Sequence, residues 1–200
     1  MEDNYIDSWK NKSVFLKQLE LNKRELDNNY PPHWYSFINI VNSLDDKINL
    51  LDIGCGVGSY YEICRKHCPN LVYNGIDYSE DAINIAKNEW NYNNFFIKDV
   101  TEIDKDYLKD YNMIHMGALL DVLPNADDVL NFILGFGVKY VFISRMELSN
   151  GSSEFSTYKA YDEIMTYRYK HGKDKIIKLI DDNNYYLYKS ENNNILLKIK

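Results

Sequence analysis

Apolar positions along this chain follow two rhythms. From about Asp7 to Asp27 they recur at helical spacing (Trp9, Val14, Phe15, Leu16, Leu19, Leu26), which predicts an amphipathic helix. Tyr30-Pro31-Pro32-His33 interrupts it, and a second helix is expected from Trp34 to Leu44 with Phe37, Ile38, Ile40 and Val41 inward. From Lys47 the rhythm changes to short apolar runs. Ile48–Ile53, Leu71–Asp77, Asn94–Asp99, Tyr111–Met116 and Lys139–Arg145 read as buried strands. Helical stretches follow them at Tyr60–Cys64, Glu80–Trp90 and Asp127–Leu134.

Strands alternating with helices predict a parallel sheet covered on both faces. The tail departs from this. Thr157–Lys170 and Lys175–Ile180 are expected to be helical, while Tyr185–Ser190 and Ile195–Lys200 flank an Asn-rich turn and predict an antiparallel hairpin. The expected fold class is therefore α/β: a Rossmann-like sheet, mostly parallel, ending in an antiparallel hairpin and preceded by a helical extension over residues 1–45.

With 200 residues and neither internal repeats nor a Pro/Gly/Ser-rich linker, one domain is expected beyond that extension. The net charge of -7 argues against general nucleic-acid binding, which needs a basic face. No apolar run reaches membrane-spanning length, and the acidic start Met1–Tyr5 lacks the basic and apolar parts of a secretory signal. A cytoplasmic location is the expectation. Three cysteines disfavour a disulfide framework. Cys64, His67 and Cys68 lie close together, but no second ligand pair follows, so no metal is expected.

The chemistry gathers at strand ends. Leu51-Asp52-Ile53-Gly54-Cys55-Gly56-Val57-Gly58 runs from a strand through closely spaced glycines into a helix, a turn that lets a ligand approach the backbone and the helix N-terminus. Alone, such a loop says little. Asp77 ends the next strand, about twenty residues on, where a carboxylate can accept both ribose hydroxyls. Tyr78 beside it can stack on a base. Asp99 ends the third strand, where it can accept an exocyclic amine while the Val100 N–H points at a ring nitrogen. Together these groups describe a nucleoside with a short polar tail. The competing readings are a helix-capping Asp77, a solvated Asp99, a surface Tyr78 and a merely buried Cys55.

On these residues, together with Gly75-Ile76-Asp77-Tyr78-Ser79, Ile97-Lys98-Asp99-Val100 and the stretch from Tyr111 to Leu123, the chain resembles the class I S-adenosylmethionine (SAM)-dependent methyltransferases from roughly Lys47 to Lys200. The resemblance implies a seven-stranded sheet with its last strand antiparallel, SAM as cofactor and S-adenosylhomocysteine (SAH) as product. It implies a methyltransferase domain over residues 46–200, with 149–173 as an insertion near the site and residues 1–45 as a lid. It further implies that Gly54, Gly56 and Gly58 surround the methionyl part, with Asp52 and Cys55 of the same run counted among the cofactor-binding residues, that Asp77 holds the ribose, that Tyr78, Asp99 and Val100 hold adenine, and that the backbone near His115 and Met116 closes one side.

His115 stands near the expected methyl position and is a candidate general base, with a satisfied core histidine as the alternative. His33, Trp34, Arg145, Tyr158 and Tyr161 are the candidate substrate contacts; packing against the domain is the alternative for each. A small-molecule acceptor, such as a sugar or metabolite hydroxyl, fits the acidic chain better than nucleic acid, and no Asn-Pro-Pro-Tyr-like motif follows the fourth strand. A monomer or homodimer is expected. The alternatives are a nicotinamide dehydrogenase, disfavoured by glycine spacing; an aminopropyl transferase, which would want an acidic cluster; and a SAM-binding module without catalysis.

Overall fold

The structure, a computed structural model, describes residues 5–161 and 164–200, with backbone only at residues 5 and 6. It opens on a 3-10 turn, Tyr5–Lys10. Asn11 then caps α1 (Lys12–Asp27), its Oδ1 accepting from the Ser13 N–H, so the predicted first helix begins later than its apolar rhythm suggested. Pro32 opens α2 (Pro32–Asn42), since a first-turn proline gives up only an N–H that has no helical partner anyway.

The strands are β1 (Ile48–Ile53), β2 (Leu71–Asp77), β3 (Phe95–Ile97), β4 (Met113–Gly117), β5 (Tyr140–Ser144), β9 (Tyr185–Glu191) and β10 (Asn194–Ile199), joined in the order β3-β2-β1-β4-β5-β10-β9. The pairings from β3 through to β5 are parallel, and β10 runs antiparallel to both β5 and β9. At the tip of the last hairpin Asn192 and Asn193 take φ of 48° and 60°, the left-handed pair that a tight two-residue turn requires. The helices α3 (Ser59–His67), α4 (Glu80–Trp90), α5 (Lys105–Leu108), α6 (Ala126–Leu134) and α7 (Lys173–Asp182) complete the layers.

Period-two alternation divides the core. Leu50 packs on one side of the sheet with Phe37 of α2 and Ile63 of α3. Leu51 and Ile53 pack on the other with Leu130 of α6 and Ile176 of α7. The same alternation sends Met113 of β4 to the first side and Ile114 and Met116 to the second.

The helix expected over Thr157–Lys170 is not there. The segment is the hairpin of β7 (Glu154–Ala160) and β8 (Ile164–Gly172), with Glu154 opposite Lys170 and Ala160 opposite Ile164. Its residues are strand formers, Phe155, Thr157, Tyr158, Thr166, Tyr167 and Tyr169 among them, and pairing overrides the helical spacing of its tyrosines. Cross-strand contacts hold it: Phe155 against Tyr167 at 4.9 Å between ring centroids, and Lys170 with Glu154 at 3.5 Å. The short β6 (Leu148–Ser149) adds a third strand beside β8.

This small sheet is tied down twice. Asp127, in the first turn of α6, accepts from His171 Nδ1 (2.5 Å), Lys175 Nζ (2.7 Å), Tyr169 OH (2.8 Å) and Ser153 Oγ (3.0 Å). Burial pushes the Asp127 carboxyl up, but the hydrogen bonds from Lys175, His171, Tyr169 and Ser153 outweigh it and hold the group down to about 2. Trp9 Nε1 donates to Thr166 Oγ1 at 2.8 Å, joining the N-terminal turn to β8.

Candidate active site

A cavity of about 430 Å³ opens at the carboxyl ends of β1, β2, β4 and β5. This is the topological switch point of the sheet: from β1 the chain goes first to β2 on one side and later to β4 on the other. The volume lies within the range of about 300–1,000 Å³ usual for small-molecule pockets. One wall is Ile53, Gly54, Gly56, Asp77, Tyr78 and Lys98 to Val100. The opposite wall is Gly117 to Leu119, Asp121 to Leu123 and Arg145, and the roof is Trp9, Phe15, Gln18 and Leu21 from the N-terminal elements with Tyr158 to Tyr161 from the hairpin.

The glycine turn works by close approach. Gly56 and Gly58 take φ of 52° and 76°, a region L side chains rarely adopt. A Cβ on Gly58 would stand 2.6 Å from Phe95, so this glycine lets α3 and the sheet close behind the turn. A Cβ on Gly56 would press on Gln18 at 3.0 Å, on the cavity side. Gln18 Oε1 is buried there with no hydrogen-bond partner.

Asp77 is buried at the end of β2. Its Oδ2 accepts from the Gly56 N–H and its Oδ1 from the Ser79 N–H, both at 2.9 Å. Burial pushes the carboxyl up to about 6; the two backbone donors oppose this, while Asp52 and Asp99 reinforce it. Asp99 lines the cavity and also caps the following turn, accepting from the Thr101 N–H at 2.8 Å. Tyr78 is half-buried, with Lys10 Nζ 5.4 Å from its ring centroid.

Several predicted residues do not border the cavity. Asp52 lies behind the wall, accepting from Tyr73 OH at 2.6 Å. His115 is fully buried; its Nδ1 meets Asp52 Oδ1 at 2.7 Å, its Nε2 meets Ser144 Oγ at 3.0 Å, and Tyr60 and Phe37 close over it at 4.2 and 5.1 Å. In this geometry both ring nitrogens are engaged inside the core, and the ring packs against the cavity-lining Gly117 without itself bordering the cavity. Met116 belongs to the core beneath α6, Cys55 Sγ lies against Gly75, and Gly58 faces Phe95. Trp34 is buried among Tyr30 and Tyr60. His33 does not line the cavity either; burial, then Arg145 and His115, push its imidazole down to about 4. Of the predicted substrate contacts, Arg145, Tyr158 and Tyr161 do line it.

Sequence reasoning missed Asp121 and the roof residues Trp9, Phe15, Gln18 and Leu21. For Asp121 the signal was a lone charge inside the apolar run Ala118-Leu119-Leu120-Asp121-Val122-Leu123. For the roof it was the spacing of 15, 18 and 21, one face of a helix. Among the described residues no group of three or more His, Cys, Asp or Glu side chains could hold a metal ion, and no helix is long and apolar enough to cross a membrane.

A switch-point cavity with a glycine turn and strand-end carboxylates, on a sheet whose last strand is antiparallel, is the arrangement of a Rossmann-like fold suited to a nucleoside ligand. A family model described as "Methyltransferase domain" matches residues 51–135. Solved structures share the fold. Magnesium protoporphyrin IX methyltransferase from Synechocystis with bound SAM is 14% identical with a TM-score of 0.62, covering 93% of this chain and 84% of that one. A SAM-dependent methyltransferase from Clostridium acetobutylicum is 10% identical with a TM-score of 0.65, covering 92% and 98%. A sugar N-methyltransferase from Streptoalloteichus is 8% identical with a TM-score of 0.64, covering 91% and 92%. No curated protein matches the sequence. Residues 51–135 thus match a methyltransferase domain, and the chain shares its fold with these SAM-dependent methyltransferases.

Proposed function

We propose that the protein transfers a methyl group from SAM to a hydroxyl of a small molecule, such as a sugar or metabolite, in the cavity between the strand ends and the aromatic roof. The supporting observation is that Asp77, Asp99 and the glycine turn share one wall of one cavity. In this reading residues 46–200 form the methyltransferase domain, 149–173 supply half the roof, and the N-terminal residues up to 45 act as its lid.

The residues present fit the cofactor. An ionised carboxylate has about four lone-pair sites, and Asp77 uses two of them on backbone donors, leaving room for two ribose hydroxyls. Tyr78 offers a ring face to adenine, with Asp99 and Val100 at its edge. Gly54 and Gly56 border the methionyl tail, and the unpartnered Gln18 Oε1 is an acceptor for that tail's ammonium. Asp52, Cys55, Gly58 and Met116 support this wall from behind. When bound, SAM supplies an activated methyl group. The protein's work is then to align the acceptor and keep water out, which the Trp9, Phe15 and Tyr161 roof serves.

Calorimetry with SAM and SAH tests the reading, with Asp77→Ala as the control. Both ligands are expected to bind the native protein, with affinity collapsing in the variant. Full affinity in Asp77→Ala would refute the ribose role, and binding without turnover on any acceptor would favour a SAM-binding module.

A further inference from the structure

One carboxylate in the cavity is only partly satisfied, with one of its two oxygens accepting no hydrogen bond. Asp121 lines the wall across from the glycine turn, with its side chain 14% exposed. Its Oδ1 is buried and accepts no hydrogen bond, and its Oδ2 stands 3.6 Å from the Arg145 guanidinium. A buried acceptor without a donor is costly, so its persistence in a binding cavity marks a place where a ligand supplies the donor. The backbone agrees. Ala118 and Arg145, at the carboxyl ends of β4 and β5, take φ of 57° and 65°. Such strain in non-glycine residues collects at functional sites.

We propose that Asp121 accepts the proton of the acceptor's hydroxyl and that Arg145 stabilises the oxygen charge that develops, with the acceptor held under Tyr158 and Tyr161. This rests on the methyl-transfer reading above. An oxygen lone pair forms the new O–C bond as the sulfonium C–S bond breaks. That bond's electrons return to sulfur, leaving a neutral thioether, and the hydroxyl proton passes to the Asp121 carboxylate and then to solvent. An amine acceptor fits less well. The guanidinium beside the carboxylate would repel an ammonium, whereas it favours an oxyanion. Burial pushes the Asp121 carboxyl up, Arg145 and then its own backbone N–H pull it down, and Glu147 and Arg168, paired with each other at 3.0 Å, add opposite and smaller effects. The raised carboxyl is a better proton acceptor than an exposed aspartate.

The test uses phenol and its methyl ether, methoxybenzene, titrated calorimetrically into SAH-loaded protein. The native protein is expected to prefer phenol by about tenfold, the worth of one hydrogen bond to a charged group. Asp121→Leu is expected to bring the ratio to about one. Asp121→Asn still accepts a hydrogen bond but takes no proton. It is expected to keep much of the preference while methylation of phenol falls by about 10²–10⁴-fold. SAH affinity reports folding in each variant and is expected to hold. No preference in the native protein, or an undiminished preference in Asp121→Leu, overturns the proposal. Failure of SAH to bind the native protein instead overturns the cofactor reading, and the phenol ratio is then read on the unloaded cavity.

Discussion

The Gly56 N–H and the Asp77 carboxylate, 21 residues apart in the chain, meet in a hydrogen bond of 2.9 Å. One acid thus fixes the glycine turn to the end of the neighbouring strand while keeping lone pairs turned to the cavity. With the ribose placed as proposed, the same group would set both the turn and the ribose position, so the protonation of one side chain would govern both.

Ligand affinity is therefore expected to depend on acidity. Asp77 is raised from an ordinary 3.8 to about 6, so the folded protein binds its proton more tightly than the unfolded chain does. Its contribution to stability falls as pH rises from about 4 to about 6. Ribose hydroxyls need the ionised form, so SAH affinity should drop as pH falls below about 6, approaching tenfold per unit. Calorimetry across this range checks it; a flat profile removes Asp77 from the ribose.

His115 is expected to matter for stability before chemistry. His115→Leu leaves Asp52 and Ser144 facing an apolar side chain, a loss of about 2 kcal/mol. For a chain of this length that lowers the melting temperature by about 4–8 °C. SAH affinity of the folded variant should be near native. A variant with native melting temperature but lost turnover would restore the general-base reading.

Asp127 anchors the small sheet, and Asp127→Ala should cost about 2–3 kcal/mol by leaving the buried His171 Nδ1 and the Tyr169 and Ser153 hydroxyls without their acceptor. Its carboxyl, held down to about 2, contributes stability that is present above about 4 and lost as pH falls through about 2. Acid denaturation of the variant should accordingly show a shallower loss over that interval than the native protein does.

Trp9 is the one tryptophan of three that lines the cavity among the described residues. Its fluorescence should change on addition of SAH, saturating at the calorimetric affinity, and Trp9→Phe should abolish the change. An equal signal from the variant would place the response at Trp34 or Trp90.

What could be read from the sequence was what is local. The run Leu51 to Gly58 carries its own strand, turn and helix start, and Asp77 and Asp99 follow apolar runs short enough to be strands and nothing else. The hairpin over 154–172 was misread because its tyrosines and threonines suit a helix face or a strand, and only pairing partners up to sixteen residues away decide between them. His115 was ambiguous for a related reason. Alternation fixes that it shares a face with Met113, but not that this face meets Phe37 and Tyr60 rather than a ligand. Asp121 stayed hidden because nothing in an apolar run says which member borders a void.

The roof comes from the two flanks of the chain that the family model does not span: Trp9 to Leu21 and Tyr158 to Tyr161 meet over a floor built between Ile53 and Leu123. Contacts so distant in sequence are among the slowest to form. A fragment limited to the matched segment would carry the glycine turn yet enclose nothing, so enclosure, unlike the turn itself, is a property of the entire folded chain.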